Sequence, residues 1–422
     1  METQPGYKQT EVGIIPNEWD VVTIGSFITE YRGGASLKPS DFTKSGVKVL
    51  PKGGVGRTGW LNVDENEQKY CSPEYAAANL RSQVDKTYTI VVLRDLVPSG
   101  PSIGLMVRIR NDDTYVLAQG VYGFKVNDTV VPSHLVQLSN TAWYRKLANS
   151  IMVGSTQVHI RNTTFKRAQI PLPSFAEQEA IAAALSDADA LIEALEQLLA
   201  KKRQVKQGAM QELLSGKRRL PGFSGEWETK NLGDLAMFYK GKGLPKSALE
   251  PSGAEPCIHY GELFTKYREI IREIISRTDI SENVFRSIAN DVLMPTSDVT
   301  PNGLAKASCI LASDIILGGD VLVIRANPNN VFGPFLSYTI RFEETQILQL
   351  VKGTTVFHLH AEDMRKFRFL LPPIAEQREI ITVLDEMDAE IAALEEKLSK
   401  ARLVKQGMMQ ELLTGKIRLN HD

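Results

Sequence analysis

The feature that most limits what this chain can fold into is a repeat. Pro171–Leu220 and Leu370–Leu419 align without a gap at an offset of 199 positions, with about 29 identities in about 50. Shared helix composition does not produce that degree of match, so one structural unit is present twice. A weaker match opens each half, where "GIIPNEWDVVTIGSFITEYRGG" from Gly13 and "GFSGEWETKNLGDLAMFYKGK" from Gly222 pair Glu18–Trp19 with Glu226–Trp227, Gly25 with Gly233 and Tyr31 with Tyr239. A third, "GSTQVHI" at Gly154 and "GTTVFHL" at Gly353, precedes each long match. Each half therefore reads as a globular module followed by a helical segment, with boundaries at 1–172, 173–221, 222–370 and 371–422. Between the anchors, about 34–153 and 242–352, little aligns. A repeated frame with different filling suggests the same task performed on two targets.

The helical segments carry a heptad seam. Ile181, Leu185, Ala188, Ile192, Leu195 and Leu199 alternate spacings of four and three, as do Ile380, Leu384, Met387, Ile391, Leu394, Leu398 and Ala401. Glu193, Glu196, Glu390, Glu395 and Lys397 fall off the seam and read as a solvated face. Each helix opens after proline, and Gly208 and Gly407 are expected to interrupt it before a last amphipathic turn, "MQELL". Ala176–Lys206 alone would form a rod of about 45 Å. Such a rod cannot bury its seam unaided. The two helices packing on each other, antiparallel and with approximate two-fold symmetry, is the simplest solution, and a homodimeric coiled coil is the alternative.

At 422 residues the chain exceeds a single core, and 43% apolar with 23% charged residues is ordinary globular composition. Short apolar runs in the modules read as mostly antiparallel strands: "TYTIVVL" at Thr87, "GLMVRI" at Gly104, "YVLAQGVYGFKV" at Tyr115, "CILA" at Cys309 and "GGDVLVIRA" at Gly318. Helices are expected at "AWYRKLANSIM" from Ala142 and "FLSYTIRFEETQILQLV" from Phe335. The fold class expected is α+β, with twisted, mainly antiparallel sheets. The net charge of −1 is unevenly spread: +4 over 1–172, zero over 173–221, −2 over 222–370 and −3 over 371–422. Cys71, Cys257 and Cys309 are isolated and read as buried thiols of a reducing compartment. With no apolar run long enough to span a bilayer and a polar start, the expected location is cytoplasmic.

Catalytic signatures are missing. "KGGVGRTG" at Lys52 lacks the Lys-Ser/Thr ending of a phosphate loop and reads as a turn or contact loop, and no H-E-x-x-H, G-x-S-x-G or C-x-x-C occurs. "LPPI" at Leu371 has neither amide nor aromatic for holding a target base and reads as a helix start. His358 and His360 share a strand face but lack ligand-spaced partners, so no metal site is assigned. The weight shifts toward a binding or organising role.

The sequence "TEVGIIPNEWDVVTIG" at Thr10, the Gly-[ST]-Thr motifs, the A-E-Q helix openings and the twice-written Q-E-L-L-[ST]-G-K close resemble the specificity (S, HsdS-type) subunit of type I restriction-modification systems, over nearly the whole chain. The resemblance implies two target recognition domains, each reading one half of a split, asymmetric site in double-stranded DNA, spaced and docked by the near-identical helices. It implies two methyltransferase (M) subunits and restriction (R) subunits as partners, with no membrane. It implies no catalysis and no cofactor in this chain; the complex would use S-adenosylmethionine to methylate adenine N6, and ATP and Mg to cleave unmodified DNA. A rod of about 45 Å would hold the modules more than one DNA turn, about 34 Å, apart. A bivalent coiled-coil adaptor for proteins is the alternative from another class.

Base readout calls for Arg, Lys, Asn and Gln, with Ser and Thr on phosphates. In the first module the candidates are Lys38, Lys44, Lys52, Arg57, Thr58, Gln157, His159, Arg161 and Asn162. In the second they are Lys240, Lys242, Lys246, Thr296, Ser297, Thr354, Thr355, His358 and His360. For any one of them an ordinary solvated position is the alternative. Trp19 and Trp227, at matching places, read as core anchors.

Overall fold

The computed structural model describes residues 5–419. The chain divides into two compact units, Met1–Glu196 with Glu396–Asp422, and Gln197–Glu395. Each unit thus joins one module to parts of both long helices.

In the first unit, a four-stranded antiparallel sheet runs in the order Met106–Arg108, Thr89–Val92, Val121–Val126, Ile28–Gly33. A second sheet orders Phe42–Thr43, Lys69–Cys71, Val47–Leu50, Tyr115–Leu117 and Gln83–Val84, with Tyr115–Leu117 parallel to Val47–Leu50. The expected strands fall inside these, and Ile90, Val91, Val92, Val107 and Val116 are fully buried, as continuous β-branched runs require. The sheet and helices close over a core containing Trp19, Phe124, Phe165, Ile181 and Leu185, joined by Leu412 and Leu413 from the far end of the sequence.

The second unit repeats this topology. Ala236–Lys240, Val321–Ala326, Val292–Pro295 and Ser308–Ile310 stand in the order of their counterparts in the first unit, with Ile270–Ile271 added parallel at the edge. The companion sheet again contains one parallel pair, Glu255–Ile258 with Ile316–Leu317. The filling that does not align in sequence therefore repeats as architecture. Strands of two to six residues are specified by burial and alternation, which many sequences satisfy.

The long helices span Phe175–Leu213 and Ile374–Leu412, 39 residues or about 58 Å each. They run straight through Gly208 and Gly407, contrary to the expected interruption: a Cβ at either glycine would meet nothing within 4 Å. Ala, Leu, Glu, Gln and Lys dominate both helices, and their propensity carries one glycine at about 1 kcal/mol. The expected helix from Phe335 is two, Gly333–Phe342 and Glu344–Leu350, parted at Glu343, where ψ turns to 33°.

Helix pairing is antiparallel within each unit. In the first, Lys405 bonds Asp189 and Arg402 bonds Glu196; in the second, Lys206 bonds Asp388 and Arg203 bonds Glu395. These are the same two pairs at the 199-residue offset with the helices exchanging roles. Ile181, Leu185, Leu195, Leu199, Ile380, Leu384, Ile391 and Leu398 are buried, while Ala188, Ile192, Met387, Leu394 and Ala401 are half-buried. The off-seam glutamates are not simply solvated. Glu193 takes a two-pronged bond from Arg110, whose guanidinium lies 4.7 Å from the Trp60 ring centroid, and Glu395 holds both Arg203 and Arg268.

Candidate DNA interface

The repeated motifs explain themselves as a latch built once in each unit. Trp19 donates its indole N–H to Glu177 at 2.9 Å, and Arg418 bonds the same carboxylate at 2.7 and 2.9 Å. Trp227 and Arg219 hold Glu376 identically, at 3.0 Å and at 2.7 and 2.6 Å. Burial pushes the Glu177 carboxyl up, but Arg418 and Trp19 outweigh it and the group lies below the usual range. The neighbouring glutamines, Gln178 and Gln377, are fully buried. Gln178 accepts from Val131 N–H and donates to Thr129 and Pro173; Gln377 accepts from Phe332 N–H and donates to Asn330 and Pro372. The A-E-Q opening is thus two buried polar side chains, the glutamate closing the latch and the glutamine satisfying the loop that leads into each module's core helix. Gly216 and Gly415, at φ +70° and +72°, end the long helices against Trp227 and Trp19. Trp19 is 1% exposed, an anchor and not a stacking platform.

Upstream of each latch a two-stranded ribbon presents candidate readers. Arg94–Asp95 pairs with Val158–His159, setting Arg94 opposite His159. Arg94 also donates to Gln157 at 2.9 Å, and Lys52 stands 3.6 Å from the buried Asp95. The equivalent ribbon, Ser297–Asp298 with Phe357–His358, sets Ser297 opposite His358, and Ser297 Oγ lies 2.9 Å from His358 Nδ1. The His358 and His360 rings stack at 6.1 Å. Thr296 bonds the Asp320 carbonyl at 3.2 Å, and Lys240 pairs with the Asp320 carboxylate at 3.4 Å.

The structure thus gathers Lys52, Gln157 and His159 in the first unit and Thr296, Ser297, His358 and His360 in the second. Arg161 occupies the position before the short helix Asn162–Arg167 without a side-chain capping bond, and Asn162 accepts from the Tyr31 hydroxyl at 3.0 Å. Thr354 and Thr355 are exposed on the turn before the second ribbon. Arg57 and Thr58 are exposed on the loop after Lys52, which contains a 3-10 turn at Lys52–Gly54. Lys38 and Lys44 stand apart, exposed beside the edge strand Phe42–Thr43, and Lys242 and Lys246 flank the loop after Ala236–Lys240. Sequence reasoning missed Arg94, which carries no motif signal, and Glu177, Glu376, Arg219 and Arg418. The last four are identical between repeats, which marked them for attention. All three cysteines are buried.

Two consecutive stretches, 16–203 and 224–401, match the family described as Type I restriction modification DNA specificity domain. The chain belongs to this family. Among curated relatives, the type I restriction enzyme MjaVIII specificity subunit of Methanocaldococcus jannaschii is 28% identical over 218 residues, 51% of this chain and 49% of that protein. The chain thus aligns to about half of that relative's length. The putative MjaX specificity subunit of the same organism is 22% identical over 99% of this chain and 97% of its own. The crystal structure of the S subunit from M. genitalium shares the fold with a TM-score of 0.61 at 15% identity, covering all of both chains. A chain from work on complex assembly and conformational transition of the type I R-M system superposes with a TM-score of 0.52 at 16% identity, over 96% of this chain and 99% of that one. Membership places the chain among DNA-specificity subunits of type I restriction-modification systems. Among the described residues, no helix is long and apolar enough to cross a membrane.

Proposed function

We propose that this specificity subunit reads a bipartite, asymmetric site in double-stranded DNA, one half per module. It would also dock two adenine-N6 methyltransferase subunits and, through them, restriction subunits. The observation that carries this reading is a latch repeated bond for bond around modules of equal topology whose sequences do not align. Equal frames suit equal partners, and unequal modules suit unequal half-sites. The ribbons carrying Arg94, Gln157 and His159, and Ser297, His358 and His360, are the first places to expect base contacts. In the second unit Leu198 and Val205, spaced by seven on the first long helix, are 40% and 50% exposed, an apolar surface suited to a partner helix. The chain contributes no catalytic group; S-adenosylmethionine, ATP and Mg belong to the partners, in the cytoplasm. Mapping N6-methyladenine across the genome of cells carrying this chain with its methyltransferase, against the methyltransferase alone, tests the reading. A split motif seen only with this chain is the expected result. No new methylation in a verified complex sinks it and favours a protein adaptor.

A further inference from the structure

The two units differ sharply at one equivalent place, where the C-terminal part of a long helix meets its module. In the second unit, Arg203, Lys206, Gln207 and Met210 border a cavity of about 480 Å³ that also contains Glu269, Glu344, Asp388 and Glu395. With Arg268, Lys306 and Arg341 also lining it, five cations face four carboxylates there. In the first unit the matching helix positions, Arg402, Lys405, Gln406 and Met409, border a groove of about 1020 Å³ formed with the helix Ala142–Ser150. Six cations line it, Arg57, Arg145, Lys146, Arg402, Lys405 and Lys416, and no carboxylate does.

Partners outside the lining neutralise only half of them. Arg402, Lys405 and Lys416 reach Glu196, Asp189 and Glu411. Arg145 is tied to backbone carbonyls of Ile103, Gly100 and Pro101, which fix its position without cancelling its charge. Arg57 and Lys146 are exposed and have no carboxylate within 4 Å among the described residues. A fixed excess of positive charge in a concave surface attracts an extended anion.

The groove also adjoins the first recognition ribbon. Arg145 holds the Gly100–Ile103 turn, Ser102 in that turn donates to Asp95, and Asp95 lies on the ribbon opposite Val158. Arg57 leads back to Lys52, the lysine beside Asp95. This continuity favours a DNA strand over a free nucleotide. We propose that the groove carries the phosphate backbone of the DNA flanking the half-site read by the first module, and that its counterpart in the second unit does not. Unit 1 then supplies most of the sequence-independent affinity of this subunit, as the +4 charge of its module fits.

The proposal rests on the DNA-reading function above, and its test separates the two. Lys146→Gln, which is not among the candidate readers and removes a cation with no carboxylate partner, is placed in the complete complex with methyltransferase, and DNA binding is titrated against salt. Each lost phosphate contact lowers the slope of log K against log salt by about 0.9, so the magnitude of the slope should fall by about 0.9. The methylated motif and the melting temperature should stay unchanged. An unchanged slope overturns the proposal. So does a variant that binds DNA normally but assembles poorly with methyltransferase, which would make the groove a protein interface. Protection of the wild-type groove by inorganic triphosphate with no change in DNA slope would assign it to a free nucleotide and overturn it too. A wild-type complex with no sequence-specific methylation fails the functional reading, whatever the slopes.

Discussion

At the scale of single residues, the latch turns on charges taken out of water together. Glu177 is 2% exposed and its compensation comes from Arg418, 241 positions away. Arg418→Ala strands that carboxylate, so the first unit should lose about 3–5 kcal/mol in denaturant unfolding, and Arg418→Lys, which cannot bond both oxygens in parallel, should fall between. A loss under about 1 kcal/mol for the alanine variant would show the latch to be ornamental. His134 supplies a pH dependence. It is fully buried, its Nδ1 has no partner among the described residues, and burial holds its pKa down to about 4 against the opposing pull of Glu177. Below pH 6.5 the unfolded chain takes up a proton that the folded one refuses, so stability is complete above 6.5 and declines as pH falls toward 4. His134→Leu should flatten that slope in chemical denaturation between pH 6.5 and 4.5, leaving the carboxylate-driven loss at lower pH. An unchanged slope would mean another group titrates there.

At the scale of elements, the helices were legible and their details were not. A heptad of Ile and Leu announces its seam because burial repeats every three and four residues. Gly208 and Gly407 read as breaks because local propensity was the only information on hand, yet the surrounding residues continue the helix at each. Since a Cβ at either would meet nothing, Gly208→Ala or Gly407→Ala should raise thermal stability, by up to about 1 kcal/mol each. Destabilisation by either would reveal a close approach within the chain. Gly25 and Gly233 behave oppositely: a Cβ there would sit 2.9 Å from the Lys166 carbonyl and 3.0 Å from that of Arg365, which is why they matched across weakly similar segments. Five apolar runs located the central strands of the modules, while short strands such as Val47–Leu50 and Glu255–Ile258 went unread and the common order was invisible, because sheet order depends on which edges meet and no residue identity records it. The candidate readers follow the same rule: Gln157 and His159 had a motif beside them, whereas Arg94 reaches them only through strand pairing.

At the scale of the whole molecule, equal frames and unequal modules make one further claim. Replacing residues 34–153 with the corresponding segment of a relative should change one half of the methylated motif and leave the other intact, as read by methylation sequencing; change in both halves would refute independent reading. The sequence by itself determined that there are two units, that long helices follow each module, and that neither carries a recognisable catalyst, because repetition, periodicity and motif are properties of order along the chain. Only the tertiary structure decided that each unit is closed by the end of the other module's helix, through Trp19–Glu177–Arg418 and Trp227–Glu376–Arg219. It also decided that one groove keeps an excess of positive charge while cations and carboxylates nearly balance in its twin. Both depend on residues far apart in sequence meeting in a low-dielectric or concave setting, where the energy of a charge is set by its neighbours in space.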